Sequence, residues 1–440
     1  MSIVAEPTAV APQPQTPCAP AVQASRSLLD RRSVCVALLL GWCGLLFFYG
    51  LTAGELWRTE GLRAIIAAEF LHSGNWIVPT LYGEALFTKP PGMYAAIALC
   101  SLPFGAVSEW SARLPSALAA TAIVFLFYWY FGRRFGRRAG LLAGLIVPMN
   151  FMWLDKASAA EIDMLQVAWV TASILFLLRA LESSEDRGSR IEDRGSRIEA
   201  YRVGGNDQTA QFSFDPRSSI LDPRSSNWGW WLAALLCVAG GTLTKWTAPA
   251  FFYATAIPLL WWRGQLRLLW RREHLLSAAL AASIVAAWII AAGALGGWDN
   301  LTSTVFREAM QRISPSHSPK PWSLGATLLH PLVVLATTLP WSVVALLTLR
   351  PGFMRLWDER GRRMLQALHC WLWPNLLLWS LMTEHAPRHS FPLFPAIAGL
   401  AVMVWIAWLE GKLSWRWPRV QPAKVLLVSL ALWLAAKGVF

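Results

Sequence analysis

Charge is scarce in this chain: only 15% of its 440 residues are Asp, Glu, Lys or Arg, against 55% hydrophobic residues. So little charge cannot keep several water-soluble domains apart, and it points to one polytopic membrane domain with the bilayer as its main solvent. Acid is scarcer than base, with 26 Asp and Glu against 39 Lys and Arg and a formal charge of +13. Most of the basic excess lies in short loops between apolar runs, where it sets topology, so no nucleic-acid partner is expected. The six cysteines show neither paired nor metal-ligand spacing: Cys18 lies in the N-terminal tail, Cys35, Cys43, Cys237 and Cys370 in apolar runs, and Cys100 in a further apolar segment. Disulfides and structural zinc are therefore not expected. Residues 1–33 lack the charged start and early apolar core of a cleavable signal; rich in Ala, Pro, Gln and Ser, they read as a disordered tail.

What the chain does have is 27 Trp and a series of apolar runs divided by basic loops. Arg26, Arg31 and Arg32 precede the run 34–51, so the tail reads as cytoplasmic and the run as a first span leading outward. The run 114–132 ends at Arg133, Arg134, Arg137 and Arg138, a loop that belongs inside. To keep it there, the short segment 91–107, interrupted by Pro103 and Gly105, must be re-entrant or interfacial. Further runs at 139–154, 164–181, 228–244, 246–262, 275–295, 326–349, 366–382, 391–409 and 424–438 alternate across the membrane. The expected fold is all-α, a polytopic domain over 34–438 with about eleven transmembrane helices. Within it, 183–227 carries EDRGSRI twice in tandem and DPRSS twice, and reads as a disordered cytoplasmic insert.

The first outer loop, 53–113, is too charged for hydrocarbon: Glu55, Arg58, Glu60, Arg63, Glu69, Glu84, Lys89, Glu109 and Arg113 stand among apolar residues. Thr59 can cap a short helix whose Leu62, Ile65, Ile66 and Phe70 share one face, which describes juxtamembrane helices on the membrane surface. Under this topology Glu60, Lys89, Glu161, Asp163, Lys245, Glu308, Glu384, His385 and Arg388 all fall at outer helix ends or in outer loops, where they can line one cavity. Carboxylates supply general bases and cations at the same depth hold a phosphate, which suits transfer from a phosphate-activated donor.

The order TEGLRAIIAAEFLHSGNWIVPTLYGEALFTKPPGMY, SARLPSALAA, AEIDML, GGTLTKWTAPA and APRHSFPLFPAIA resembles the polyprenyl-phosphate-sugar glycosyltransferases of the GT-C superfamily, nearest to protein O-mannosyltransferases and lipid A aminoarabinose transferases. It covers roughly residues 35–410 without the insert. The resemblance implies inverting transfer of a sugar from a polyprenyl-phosphate carrier to a lipid, glycan or protein acceptor, at the extracytoplasmic face of a bacterial plasma (inner) membrane. By position, Glu60 or Asp163 is then the catalytic base, and Lys89, Lys245 and Arg388 hold the donor phosphate. Arg63, Trp76, Glu161 and His385 contact substrate. One departure stands out: aligned on Ser73 to Trp76, the first-loop Asp usual in such enzymes falls on Thr59, with Glu60 beside it.

Plainer roles stand beside these. Glu60 can be a first-turn acid on a helix dipole, Lys89 a snorkelling interfacial lysine, and most Trp a membrane-interface belt. Glu161 and Asp163, two apart, diverge by about 200° on a helix and are not expected to share a site. His385 and His389 have ligand spacing but flank Pro387, so no metal site is assigned, and His317 reads as part of a lid loop. No cofactor is required; basic side chains can neutralise one phosphate, with a divalent metal an option rather than a need. Since the sequence stops at Phe440 after an apolar run, acceptor capture is expected to use the outer loops or a partner. The rival reading is a lipid-linked saccharide transporter or flippase, in which the same charges bind a headgroup.

Overall fold

The structure is a computed structural model that describes residue 29 and residues 31–203, 228–314, 316–317, 322–413, 424–425 and 427–431, with the side chains of 184–203 outside that description. The all-α expectation holds. The helices run in chain order as α1 (Arg32–Cys43), α2 (Thr59–Ser73), α3 (Gly92–Ser101), α4 (Glu109–Phe135), α5 (Arg137–Ile146), α6 (Phe151–Ala157), α7 (Ile162–Val203) and α8 (Trp228–Thr244). They continue as α9 (Ala248–Trp262), α10 (Arg272–Gly296), α11 (Trp298–Ile313), α12 (Leu324–Thr337), α13 (Trp341–Leu346), α14 (Glu359–Leu381) and α15 (Phe394–Leu409). The β structure among the described residues is one hairpin, β1 (Thr80–Leu81) against β2 (Glu84–Ala85). Tyr82 and Gly83, both at positive φ, make its two-residue turn, and the Glu69 carboxylate pins it by accepting from the Tyr82 N–H and the Thr80 hydroxyl.

Among the described residues four helices are long and apolar enough to cross a membrane: Glu109–Phe135, Ile162–Ser183, Arg272–Gly296 and Pro387–Leu409. A fifth is reached if α12 and α13, bent by 109° at their junction, count as one broken span. The run 139–154 is also cut, because Pro148 follows the end of α5 and Asn150 caps α6 by accepting from Trp153 N at 3.0 Å. Segment 91–107 is α3 plus a 3₁₀ turn ending at Phe104, shorter than the roughly 20 residues of a spanning helix. The insert is corrected in its first part: α7 runs on to Val203. Residues 204–227, most of the 1–33 tail and most of the 424–438 run lie outside the described residues.

α15 is buried from Phe394 to Ala407 and forms the centre of the bundle, as a helix apolar on all sides must. α10 buries only His274, Ser277, Ala281, Ala292 and Gly293, and turns the rest outward. α4 and α5 meet backbone to backbone: a Cβ on Gly140 would stand 2.5 Å from the Tyr128 carbonyl oxygen and 2.7 Å from the Gly132 Cα. Near that turn, Glu182 accepts from the Tyr130 hydroxyl at 2.6 Å and pairs with Arg134 and Arg179. The start of α7, the end of α8 and the end of α14 come together at the other pole. There α2, α3 and α11 cover them.

Candidate active site

The first-loop helix α2 is tied down from its first turn. Thr59 begins it, but no side chain caps it; the N-cap is Arg58, held at φ 53°. A non-glycine residue there is strained by about 1–3 kcal/mol, and the neighbouring contacts of Glu60 hold it in place. Glu60 Oε1 accepts from Arg113 Nε at 3.1 Å and Ala160 N at 2.7 Å, while Oε2 accepts from Arg113 Nη2 at 3.2 Å and Trp57 N at 2.8 Å. Arg113 also donates to the carbonyls of Leu51, Ala53 and Glu55, each at 2.9 Å. Burial opposes the charged form of Glu60, yet the Arg113 guanidinium and the two backbone N–H groups outweigh it and hold the carboxyl below its ordinary value.

Glu60 is therefore a clasp between α2, α4 and the 159–161 turn. It does not line the polar cavity. That position falls to Thr59, the residue aligned with the expected first-loop Asp.

The cavity, about 270 Å³, gathers Thr59 and Arg63 from α2, Lys89 from the loop before α3, Glu161 and Asp163, Lys245, Glu308 and Arg312 from α11, and Glu384, Arg388 and His389. Five cationic side chains face four anionic ones, leaving one net positive charge. Lys245 Nζ donates to Asp163 Oδ1 at 2.6 Å, with both residues buried. Lys89 Nζ donates to Glu308 Oε2 at 2.7 Å, and Arg63 Nη2 pairs with Glu161 Oε2 at 3.0 Å. The Arg388 side chain makes no hydrogen bond or ion pair among the described residues. Burial, only partly offset by Glu308, lowers Lys89 from its ordinary value.

Lys89 reaches this place because α3 starts hard against α8. A Cβ on Gly92 would stand 2.6 Å from the Thr244 hydroxyl and 2.8 Å from the Leu243 carbonyl oxygen, so only glycine lets the two backbones meet one residue before Lys245.

Lys89, Lys245, Arg388, Asp163, Glu161 and Arg63 thus stand in one cavity. Glu161 and Asp163 share it despite their spacing, because α7 begins at Ile162 and Glu161 belongs to the preceding turn, outside the helical period. Trp76 is elsewhere, 6.0 Å from Phe70 between ring centroids in a separate apolar cluster. His385 also turns away, with Nε2 3.0 Å from the Ser380 carbonyl oxygen and its own carbonyl 3.2 Å from His330 Nδ1. Gln311 and Arg312 were not singled out by the sequence, and His389 was weighed there only as a metal ligand; Arg312 carried a signal, four residues beyond Glu308 on an amphipathic helix. Among the described residues no group of three or more His, Cys, Asp and Glu could hold a metal ion.

A second cavity, about 570 Å³, adjoins the first and shares Glu161 with it. Trp57, Arg58, Glu60, Arg113, Phe151 and Lys156 are among its walls, and Trp57 and Phe151 are largely exposed there. Lys156 pairs with Glu161 at 3.4 Å and Asp155 at 3.1 Å; these acids overcome the opposing effect of burial and raise its pKa above the ordinary value.

Comparison with known proteins bears on the fold. The sequence model of the dolichyl-phosphate-mannose-protein mannosyltransferase family matches residues 88–189. Undecaprenyl phosphate-alpha-4-amino-4-deoxy-L-arabinose arabinosyl transferase 1 of Pseudomonas fluorescens is 24% identical over 396 residues, 88% of this chain and 61% of the relative. The corresponding transferase of Erwinia tasmaniensis is 26% identical over 352 residues, 78% of this chain and 54% of the relative. Among solved structures, ArnT from Cupriavidus metallidurans bound to undecaprenyl phosphate superposes with a TM-score of 0.65 at 20% identity, covering 92% of this chain and 64% of that one. The oligosaccharyltransferase AglB from Archaeoglobus fulgidus, in complex with an inhibitory peptide and a dolichol-phosphate, gives 0.52 at 14% identity, covering 92% and 54%. The chain shares its fold with these proteins, and the resemblance read from its motifs is borne out. It spans about 61% of the length of the first of these relatives.

Proposed function

We propose that this chain is a membrane glycosyltransferase that moves a sugar from an undecaprenyl-phosphate-type carrier to an acceptor hydroxyl, with inversion. The carrying observation is the polar cavity, where Lys89, Lys245 and Arg388 converge with Asp163 at the pole that also holds the first-loop helices. Basic residues at Arg133 to Arg138, Arg263 to Arg272 and Arg350 to Arg363 mark the opposite pole as cytoplasmic, so the cavity opens on the extracytoplasmic face of a bacterial inner membrane. The remaining apolar runs complete about eleven crossings, counting short and broken helices.

The donor phosphate sits among Lys89, Lys245 and Arg388. As the bond from the anomeric carbon to the phosphate oxygen breaks, the leaving phosphate gains negative charge, and these cations stabilise that gain more than they stabilise the bound ground state. The acceptor enters through the second cavity and meets the donor at the wall formed by Glu161. Its hydroxyl attacks from the face opposite the phosphate and gives its proton to Asp163. Asp163 suits this role because Oδ1 accepts from Lys245 while Oδ2 accepts no hydrogen bond among the described residues. Both oxygens of Glu161 are engaged, by Arg63 and Lys156, which suits orientation of the acceptor. Glu60, with both oxygens saturated, is assigned the structural clasp.

The test is sugar release from a panel of radiolabelled undecaprenyl-phosphate sugars by the purified chain in liposomes. Transfer from one donor, with undecaprenyl phosphate as the second product, is expected. Movement of the intact lipid-linked sugar across the bilayer without release would replace this reading with transport.

A further inference from the structure

A third cavity, about 550 Å³, lies toward the opposite pole, between the end of α9, the middle of α14 and the 348–355 loop. α9 leads away from Lys245, and its 15 residues set the two sites roughly 22 Å apart along its axis. The walls are apolar and aromatic, with Trp261, Trp262 and Trp373 among them. Trp261 and Trp262 are 73% and 49% exposed, so they form the rim toward the membrane.

Two polar features mark it as more than a packing gap. Arg350 and Arg355, both exposed, stand at its mouth, and their side chains make no ion pair or hydrogen bond among the described residues. Inside, His369 is 94% buried, and its Nδ1 accepts from the Trp373 indole N–H at 3.0 Å. An indole nitrogen only donates, so the other ring nitrogen, Nε2, carries the proton. Nε2 has no partner among the described residues, although His369 lines the cavity. A donor left facing an apolar cavity in this way wants an acceptor.

We infer that this cavity binds an anionic phospholipid of the bilayer, its acyl chain between α9 and α14, its phosphate at Arg350 and Arg355, and an ester oxygen accepting from His369 Nε2. Basic pockets between spanning helices at the cytoplasmic surface have this chemistry. Free phosphate would leave the aromatic walls unfilled, and a neutral lipid would leave both arginines unanswered. The volume suits one chain rather than a whole lipid.

The experiment is native mass spectrometry of the full chain released from micelles containing equal phosphatidylglycerol and phosphatidylcholine. Phosphatidylglycerol should be retained in preference. With each interfacial arginine contributing about fivefold, the double variant Arg350→Gln, Arg355→Gln should weaken that retention about 25-fold. The nearby pair Arg267→Gln, Arg271→Gln, outside the cavity, should leave it unchanged. All four residues are surface cations, so the variants should fold, and equal thermal midpoints verify that. Equal retention of both lipids, an equal loss in the control pair, or one-for-one displacement of phosphatidylglycerol by undecaprenyl phosphate would each overturn the assignment.

Discussion

Lys89 Nζ and Glu308 Oε2 stand 2.7 Å apart although 219 positions separate them in sequence. The pair joins the first loop to α11 across the polar cavity, and in doing so it places a carboxylate where the proposed donor phosphate belongs. Glu308 is then a competitor that the phosphate must displace. Glu308→Gln removes the competing charge, and undecaprenyl phosphate should bind about tenfold tighter, measured by displacement of a fluorescent analogue. Unchanged or weaker binding would show that Glu308 supports the phosphate site instead.

The depressed pKa of Lys89 has a pH signature. Burial lowers it from 10.5, so as pH rises the lysine loses its proton earlier than an exposed lysine would. Phosphate binding should be full at neutral pH and fall as alkaline pH passes through that lowered value. Lys89→Arg, which stays protonated, should shift the fall to higher pH. Overlapping profiles for the two proteins would detach Lys89 from the phosphate.

Glu60 and Arg113 predict a stability effect. Each side chain is 7% exposed, and removing one partner strands the other, so Glu60→Ala should cost about 3–5 kcal/mol. The linkage has a definite sign. A carboxyl held below its ordinary value of 4.5 contributes stability that is complete above that value and is lost as pH falls through the lower folded value. Thermal melts of wild type and Glu60→Gln should therefore converge in acid and diverge near neutral pH.

Gly92 links packing to the site. A valine there must push α3 off Thr244, costing about 1–3 kcal/mol by overpacking. The shift also draws the Lys89 loop away from Lys245. Gly92→Ala and Gly92→Val should both lose donor binding relative to wild type, measured on protein that still melts cooperatively; wild-type binding in both would deny the link.

The cluster of Lys89, Glu161, Asp163, Lys245 and Arg388 was legible because topology, read from basic loops and apolar runs, fixes which helix ends share a pole. Rotation about a helix was not. Whether Thr59 or Glu60 faces the cavity depends on Arg113, 53 positions away from Glu60, and no local pattern announces that pairing. The sharing of the cavity by Glu161 and Asp163 depends on where α7 begins, and a one-residue boundary reverses the expectation. His385 was placed with the site by its neighbour Arg388, yet a 3₁₀ turn over Pro387–Leu393 sends the two in different directions. Apolar runs were found correctly as runs, while their breaks near Pro148 and between α12 and α13 divided what hydropathy reads as single spans.

The most direct test compares sugar release from an undecaprenyl-phosphate donor by wild type, Asp163→Asn and Glu60→Gln in the same liposomes. Asparagine keeps an oxygen for Lys245 but is not a base, so Asp163→Asn should retain undecaprenyl phosphate while losing turnover by about 100-fold or more. Glu60→Gln should be less stable yet retain turnover per folded molecule. Full turnover in Asp163→Asn, with loss in folded Glu60→Gln, would contradict the account and return the base to the first loop.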